Sequence, residues 1–293
     1  MTPTHIAAAY AGWATGGRRD GRPGGLSPQT RRHLHRVLAT ALNRAVEQQL
    51  LARNPAAALS RRLPRVDKRE LDTLTAEQAS RLLTAIGRYR VYWPVLIALA
   101  TGARRGEVLA LRWRDVDLDR GAVAIMRSLE ETKGGILRFK APKTERTRPV
   151  ILPAFAVAEL RRHKLEQAEE LLALGIRQDE NTLLCRRLDP FNRDGTLDPI
   201  AAMNGHAVGR EYRRVYRGLK DPNLPYVRYH DLRHSHATQL LVEGVHAKVV
   251  QERLGHSKIG ITLDTYSHVV TSMQEDAAAR LDKAFRGSKI GSK

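Results

Sequence analysis

The chain has 293 residues, a length typical of about two domains, and its 42% apolar content excludes a disordered polypeptide. Lysine and arginine (50) exceed aspartate and glutamate (31), and the formal net charge of +19 is typical of a nucleic-acid-binding protein. A single cysteine excludes an internal disulfide and a cysteine-built zinc site, and with no apolar span of about twenty residues we expect a cytoplasmic protein with no membrane partner.

The first 65 residues differ in composition from the rest, with eleven arginines, no lysine and two acidic residues. A glycine-rich loop at residues 16–28 leads to a helix start at Ser27-Pro28. Apolar residues then recur at helical spacing: Leu34, Val37, Leu38, Ala41, Leu42 and Ala45. The opposite face carries four arginines: Arg31, Arg32, Arg36 and Arg44. Such a face is often only solvated, but the scarcity of acidic neighbours favours contacts with the DNA backbone.

Residues 61–70, RRLPRVDKRE, have the proline, alternating charge and low apolar content of a linker. A second domain then begins at a capping box, in which Thr75 precedes Gln78 by three residues. The run VLIALA at residues 95–100 fits a buried helix. Three strands, AVAIMRSL, ILRF and PVILP, are predicted next, with the turn APKTERTR before the last. After Pro153 the helical pattern returns and is predicted to dominate to the end of the chain.

The stretch YHDLRHSHATQLL, residues 229–241, holds three histidines and an arginine within seven residues. His230 and His234 have the i, i+4 spacing of the zinc-binding H-E-x-x-H helix, with Asp231 in place of the glutamate. Alternatively, His230 and Arg233 share a helix face near a helix start, which attracts anions. The zinc interpretation lacks a glutamate base and a third protein ligand, and it places the cationic Arg233 beside the metal. Charge repulsion therefore favours a phosphate site over a metal site.

Three further stretches combine charge with a simple structural explanation: TGARRGEVLALRW, KAPKTERTRPVILP and LGHSKIGITLDTYSHV. The first could be a corner between helices with Gly102 as C-cap, and the second a solvated hairpin. The third could be a helix end with Tyr266 in the core. Each structural explanation is the better one when a stretch is considered alone, and only their order along the chain favours chemistry.

That order is an arginine in TG-x-R-x-x-E, a lysine on a hairpin, H-x-x-R, LGH and a tyrosine ten residues later. It resembles the tyrosine recombinase (phage integrase) family over about residues 71–270. The resemblance implies six catalytic residues: Arg104, Lys143, His230, Arg233, His256 and Tyr266. Glu107, three residues after the first arginine, matches the acidic residue of the family and is expected to orient that arginine. The resemblance implies no metal and no cofactor.

The chemistry of DNA strand transesterification agrees with these roles. Tyr266 would be the nucleophile, and His230, which titrates near physiological pH, would accept its proton. The two arginines have planar forks that suit two non-bridging phosphate oxygens, and His256 would add a hydrogen bond to one of them. Lys143 would protonate the 5′ leaving oxygen, a role typically worth about 10²–10⁴ in rate. Because arginine forks supply the charge a metal would otherwise give, the site requires no ion.

Three other residues with reactive side chains are predicted to be structural. His234 and His236 are expected to be polar members of a helix start, with His236 at its solvent face. Cys185, between apolar residues in NTLLCRRL, is expected to be a small core residue and not a reactive thiol.

The expected fold is mainly α with a small antiparallel β-sheet (α+β), as a helical core-binding domain plus a tyrosine-recombinase catalytic domain. We assign residues 1–65 to a core-binding domain shortened at its N-terminus, 66–72 to a linker, 73–286 to the catalytic domain and 287–293 to a disordered tail. After Tyr266, apolar residues at helical spacing are expected to dock on a neighbouring protomer.

The resemblance implies a site-specific DNA recombinase that acts through a 3′-phosphotyrosyl intermediate, in integration or excision of a phage or mobile element. The alternatives are an inactive DNA-binding regulator of the same fold and a type IB-like topoisomerase. The expected partners are double-stranded DNA attachment sites, further copies of the chain in a tetramer on DNA, and accessory DNA-bending or directionality factors.

Overall fold

The computed structural model describes residues 2–66, 72–140, 147–187, 198, 201–266, 278–279, 281–283 and 285. The chain divides into two compact units, residues 1–70 and 71–293. Most of the predicted linker, the segment from 267 to 277 and the predicted tail lie outside the described residues, so the domain limits given above stay predictions.

The first unit is helical and consists of α1 (Pro3–Thr15), α2 (Pro28–Glu47) and a 3-10 helix (Ala57–Arg62). The predicted start of α2 is confirmed, since the Ser27 hydroxyl accepts a hydrogen bond from the Thr30 N–H at 3.2 Å. Helix α1 was not predicted. It begins with a proline in its first turn, after Thr2, whose hydroxyl caps the His5 N–H at 3.3 Å.

The predicted apolar face of α2 is partly wrong. Val37 is 56% exposed, whereas His35 is buried at 6%. His35 is tolerated inside because both ring nitrogens are satisfied, one by the Tyr10 hydroxyl at 2.8 Å and the other by the Ser60 hydroxyl at 3.3 Å. Aromatic partners from the unpredicted α1 thus shifted the inner face of α2 toward the histidine.

The second unit contains eight α-helices among the residues described. They are α3 (Ala76–Ile86), α4 (Tyr92–Thr101), α5 (Arg105–Leu109), α6 (Ala154–Ala173), α7 (Gly205–Gly218), α8 (Asp231–Val242), α9 (Ala247–Leu254) and α10 (Ile259–Thr265). The predicted capping box at Thr75 and Gln78 is present, as is the helix after Pro153. Helix α4 contains the run VLIALA and is buried almost throughout, because α3, α5, α6 and α8 pack around it.

Five short strands lie in two antiparallel sheets within the described part of this unit. Strands β1 (Val116–Asp117), β2 (Ala122–Ile125) and β5 (Arg148–Ile151) form one sheet in the order β1-β2-β5. Strands β3 (Ser128–Glu131) and β4 (Leu137–Lys140) form a separate hairpin.

The sequence AVAIMRSL was expected to be one strand, and that expectation is wrong. It divides into β2 and β3, which pair with different partners. The break falls at residues 126–127, where the Arg127 guanidinium turns inward to the buried Asp115 carboxylate at 3.0 Å. The mainly helical α+β fold class is confirmed. No helix in the described residues is long and apolar enough to span a membrane.

Candidate active site

The first candidate arginine stands at a sharp corner between α4 and α5. Helix α4 ends at Gly102 in the left-handed conformation, φ +66°, which confirms its predicted role as C-cap. Arg104 then precedes the first residue of α5, and its N–H donates to the Glu107 carboxylate at 2.8 Å. The Arg104 guanidinium also contacts Glu107 at 3.0 Å, yet its side chain stays 48% exposed. The corner therefore presents a cation to solvent on a fixed stem.

Glu107 is buried, with its side chain 7% exposed, and it is held from two directions. Arg148 at the start of β5 donates to both carboxylate oxygens, at 3.2 and 2.5 Å. Burial acts to raise the pKa of Glu107, but the hydrogen bonds and charge of Arg148, followed by those of Arg104, outweigh it and lower the pKa. Glu107 is therefore a carboxylate shared by two arginines, a geometry that suits the expected orienting role.

Arg233 lies in the first turn of α8 and is 5% exposed. Its Nη1 donates to the Gly102 carbonyl at 2.6 Å and its Nη2 to the Leu254 carbonyl at 2.7 Å. Burial, followed by the charge of Arg104, lowers its pKa to about 10, so it stays a cation at neutral pH. With five N–H donors, the guanidinium keeps further donors for a ligand.

His230 immediately precedes α8 and is exposed on the surface of the unit. Burial of part of the ring and the charge of Arg233 lower its pKa. Asp231, which would stand for the glutamate of a zinc helix, is buried and receives two hydrogen bonds from the Arg228 guanidinium, at 2.7 and 2.9 Å. No metal-binding group of three or more histidine, cysteine or acidic side chains occurs in the described part of the chain.

Tyr266 follows the last residue of α10 and is 1% exposed, in a buried apolar cluster that includes Ala237 and Leu254. Its hydroxyl is hydrogen-bonded to Nδ1 of His234 at 2.8 Å, so the contact falls on His234 and not on His230. The two histidine rings lie edge to face, 5.7 Å apart between centroids. Burial raises the pKa of Tyr266 to about 12, partly offset by the charge of Arg233, and burial lowers the pKa of His234 to about 4. A neutral imidazole therefore faces a protonated phenol.

His256 follows α9 and the left-handed Gly255, in the LGH stretch. Its Nδ1 is hydrogen-bonded to the Thr262 hydroxyl at 2.8 Å, which fixes the ring against α10. Burial and then the charges of Arg233 and Arg104 lower its pKa to about 4. Arg233 donates to the Leu254 carbonyl, two residues before His256, so these two side chains lie in one region of the unit.

The remaining predicted residues have mixed outcomes. Lys143 lies outside the described residues. In the first unit, Arg32, Arg36 and Arg44 of α2 are exposed, whereas Arg31 is half-buried. His236 is buried at 8%, with Nδ1 on the Leu99 carbonyl at 2.7 Å, so its expected solvent exposure is wrong. Cys185 is buried, as predicted, and burial raises the pKa of its thiol.

Sequence reasoning missed Arg148 and His234, although each has a periodic signal. Arg148 has the same strand parity as the buried Val150, so it points toward the interior side of β5. His234 is i, i+3 from Ala237 on α8, which belongs to the same buried cluster as Tyr266. Assigning the residues of β5 and α8 to buried and exposed faces, in addition to matching motifs, would have placed both side chains beside the site.

Comparisons with known proteins identify the same region. The model of the phage integrase family matches residues 72–273. A XerC-like tyrosine recombinase of Caldanaerobacter subterraneus subsp. tengcongensis is 28% identical over 274 residues, 89% of this chain and 68% of that protein. The ICEBs1 integrase of Bacillus subtilis is 28% identical over 88% of this chain and 66% of its own length. The chain thus spans about two thirds of the length of these relatives.

Among solved structures, the Tn1549 transposon integrase in complex with transposon right end DNA aligns over 97% of this chain and 85% of its own. The TM-score is 0.72 at 20% sequence identity, a likeness of fold. A lambda integrase dimer bound to a COC′ core site gives a TM-score of 0.57 at 18% identity, over 90% of this chain and 79% of that one.

Proposed function

The chain belongs to the phage integrase family of tyrosine recombinases, and we propose that it cleaves and rejoins DNA strands at specific sites through a 3′-phosphotyrosyl intermediate. The names of its relatives, a tyrosine recombinase and integrases of mobile elements, favour integration or excision of such an element over topoisomerase or purely regulatory roles.

The observation that carries this proposal is the convergence of cations on one buried tyrosine. Arg233 is anchored by hydrogen bonds to carbonyls at the ends of α4 and α9. Its charge acts to lower the pKa of Tyr266, of His256 and of His230. Arg104 presents its exposed guanidinium from the adjoining corner. A phosphodiester is the anion that such planar forks recognise best.

In the proposed reaction the Tyr266 oxygen attacks the scissile phosphorus, and the bond from phosphorus to the 5′ oxygen breaks. Arg104, Arg233 and His256 stabilise the charge that develops on the non-bridging oxygens, a preorganised arrangement that is usually the largest contribution to catalysis. Lys143 gives a proton to the departing 5′ oxygen. Attack by a 5′ hydroxyl of another strand then reverses the same steps and releases Tyr266.

The proton of Tyr266 needs an acceptor, because a phenol with a pKa near 12 is almost fully protonated at neutral pH. We keep His230 as the proposed acceptor, since its exposed ring can pass the proton to solvent. His234 holds the phenol through its 2.8 Å hydrogen bond and fixes the direction of the hydroxyl before DNA binds. This division of roles follows from burial, since the His234 ring is the more enclosed of the two.

DNA is the proposed partner, and the exposed arginines of α2 are proposed to contact its backbone. A tetramer on DNA is proposed from an apolar groove of about 750 Å³ on the second unit, whose lining includes Leu83, Leu99 and Phe155. Leu281 and Phe285, near the end of the chain, are 57% and 70% exposed and could fill such a groove on a neighbour. Deleting residues 272–293 should then abolish synapsis and spare cleavage; synapsis that survives the deletion contradicts this docking.

The central test is a covalent adduct on a suicide substrate. A library of nicked duplexes, designed so that religation fails, is incubated with the chain in EDTA and resolved on denaturing gels. We expect a protein–DNA adduct with the wild type and none with Tyr266→Phe.

Tyr212→Phe is the matched control, because Tyr212 is equally buried and its hydroxyl has no hydrogen-bond partner within the described residues. It should form the adduct at the wild-type rate. Tight, salt-dependent DNA binding without any adduct would refute the recombinase activity and favour a binding protein of the same fold.

A further inference from the structure

Arg148 joins three parts of the candidate site that are far apart in sequence. It lies in β5, its side chain is 12% exposed, and it donates to both oxygens of Glu107. Its Nε donates to the Arg253 carbonyl at 3.0 Å, near the end of α9. A Cβ added to Gly255 would lie 2.9 Å from the Arg148 guanidinium, so the turn that precedes His256 is in contact with Arg148.

The positive charges around Glu107 exceed its negative charge. Arg104 and Arg148 carry two positive charges and Glu107 carries one negative charge, so the three groups have a net charge of +1. Glu107 accepts two hydrogen bonds from the Arg148 side chain and one from the Arg104 side chain. Without Arg148, the whole charge of Glu107 would fall on Arg104, and the pair would be neutral toward a phosphate. A low-dielectric surrounding makes such a change count more than it would in water.

We propose that Arg148 is a positioning residue of strand cleavage, which engages Glu107 so that the Arg104 guanidinium keeps its positive charge for the scissile phosphate. It acts through Arg104 and not on the DNA, since its own guanidinium is turned into the protein. Its bond to the Arg253 carbonyl also fixes β5 against the turn that carries His256. This inference rests on the recombinase function proposed above.

The experiment compares the rate of covalent adduct formation, on a nicked duplex that gives the adduct with wild type, for Arg148→Gln and for the double variant Glu107→Gln/Arg148→Gln. The single variant lowers the net charge to zero and should slow cleavage about 10- to 100-fold, less than the roughly 10²–10³ that loss of a direct donor costs. The double variant restores a net charge of +1 through Arg104 alone, so its rate should recover at least severalfold over the single variant.

Arg127→Gln is the matched control. Arg127 is also a mostly buried arginine on a buried carboxylate, Asp115, which likewise accepts the N–H of a preceding arginine. Arg127 precedes β3 in sequence, whereas Arg148 follows it, and in the described part of the chain its ion pair and side-chain hydrogen bond are to Asp115. Any loss of cleavage rate that comes only from breaking a buried ion pair should appear in this variant too.

A second substrate separates charge from folding. A methylphosphonate at the scissile position replaces one non-bridging oxygen by methyl and removes the negative charge that Arg104 must neutralise. The defect of Arg148→Gln, relative to wild type, should shrink at least severalfold on this DNA. A defect caused by general misfolding would be the same on both substrates.

Binding of inorganic phosphate, followed by phosphorus NMR, tests the charge argument without DNA. Affinity should fall severalfold in Arg148→Gln, remain unchanged in Arg127→Gln and recover in the double variant. An Arg148→Gln rate equal to that of Arg127→Gln, or a double variant no faster than the single one, would overturn the inference. Absence of the adduct with wild type would instead refute the recombinase proposal, and the phosphate titration would still decide the charge argument.

Discussion

Replacing Gly102 by alanine tests the corner on which the site is built. Gly102 has φ +66°, and a Cβ there would lie 2.6 Å from the His236 ring and 2.7 Å from a Leu254 methyl carbon. The left-handed conformation costs a non-glycine residue about 1–2 kcal/mol. Inserting a methyl group into filled space costs about 1–3 kcal/mol more. The expected loss in the free energy of unfolding is therefore about 2–5 kcal/mol.

Gly175 provides the matched control for the backbone cost. Its φ is +73°, and nothing lies within 4 Å of an added Cβ. Gly175→Ala should lose only the conformational cost, about 1–2 kcal/mol. The gain from a less flexible unfolded chain, about 0.4–1 kcal/mol, applies to both variants and cancels in their difference.

The assay is equilibrium unfolding in guanidinium chloride at pH 7, with stability taken from the midpoint and slope. Gly102→Ala should be less stable than Gly175→Ala by about 1–3 kcal/mol, the part of the loss that comes from overpacking. Equal losses would show that His236 and Leu254 move aside freely. The corner would then not be a fixed support for Arg104 and Arg233.

Three further outcomes are expected. Burial lowers the pKa of His236 to about 4 from about 6.5 in the unfolded chain, so the stability it contributes is complete above pH 6.5 and is lost as pH falls toward 4. Between pH 7 and pH 5 the free energy of unfolding should drop by up to about 2 kcal/mol more in wild type than in His236→Asn, and equal drops would contradict the burial argument. His234→Phe removes the hydrogen-bond partner of Tyr266, worth about 1 kcal/mol net, and should slow adduct formation about fivefold; an unchanged rate would show that the contact has no role in cleavage. Glutamine at Arg36 or Arg44 should each reduce the slope of log affinity against log salt by about 0.9 in DNA-binding titrations, and an unaltered slope would mean that these arginines are only solvated.

Local signals predicted much of the fold. Helix starts at Ser27 and Thr75 were readable because a side-chain oxygen and a backbone N–H three residues on are enough to fix them. The end of α4 at Gly102 was readable for a similar reason, since a left-handed residue favours glycine. Such features depend on a few neighbouring residues and require no knowledge of the rest of the chain.

Features that depend on distant partners were not predictable in the same way. His35 is buried because Tyr10 and Ser60 satisfy its ring, and His236 is buried because the Leu99 carbonyl does. The break between β2 and β3 depends on Asp115, twelve residues before Arg127. In each case a polar group enters the interior through a partner whose approach the local pattern does not encode.

The candidate site shows the same division. The motifs placed Arg104, Arg233, His256 and Tyr266 on elements that the fold brings into one unit. The contact between Tyr266 and His234 required α8 and α10 to meet, and the pairing of Glu107 with Arg148 required β5 to lie beside α5. Motif order thus predicted the candidate site residues, and packing determined which of the described ones touch.

The position of Arg233 has a consequence for the unliganded protein. The Gly102 and Leu254 carbonyls that it binds stand at the C-terminal ends of α4 and α9, where peptide dipoles concentrate partial negative charge and carbonyls lack helical partners. One guanidinium therefore completes two helix ends, and those ends in turn make a buried cation tolerable before any phosphate arrives. Replacing Arg233 leaves both carbonyls without that donor, so a variant designed only to silence the chemistry would also loosen the junction between two helices.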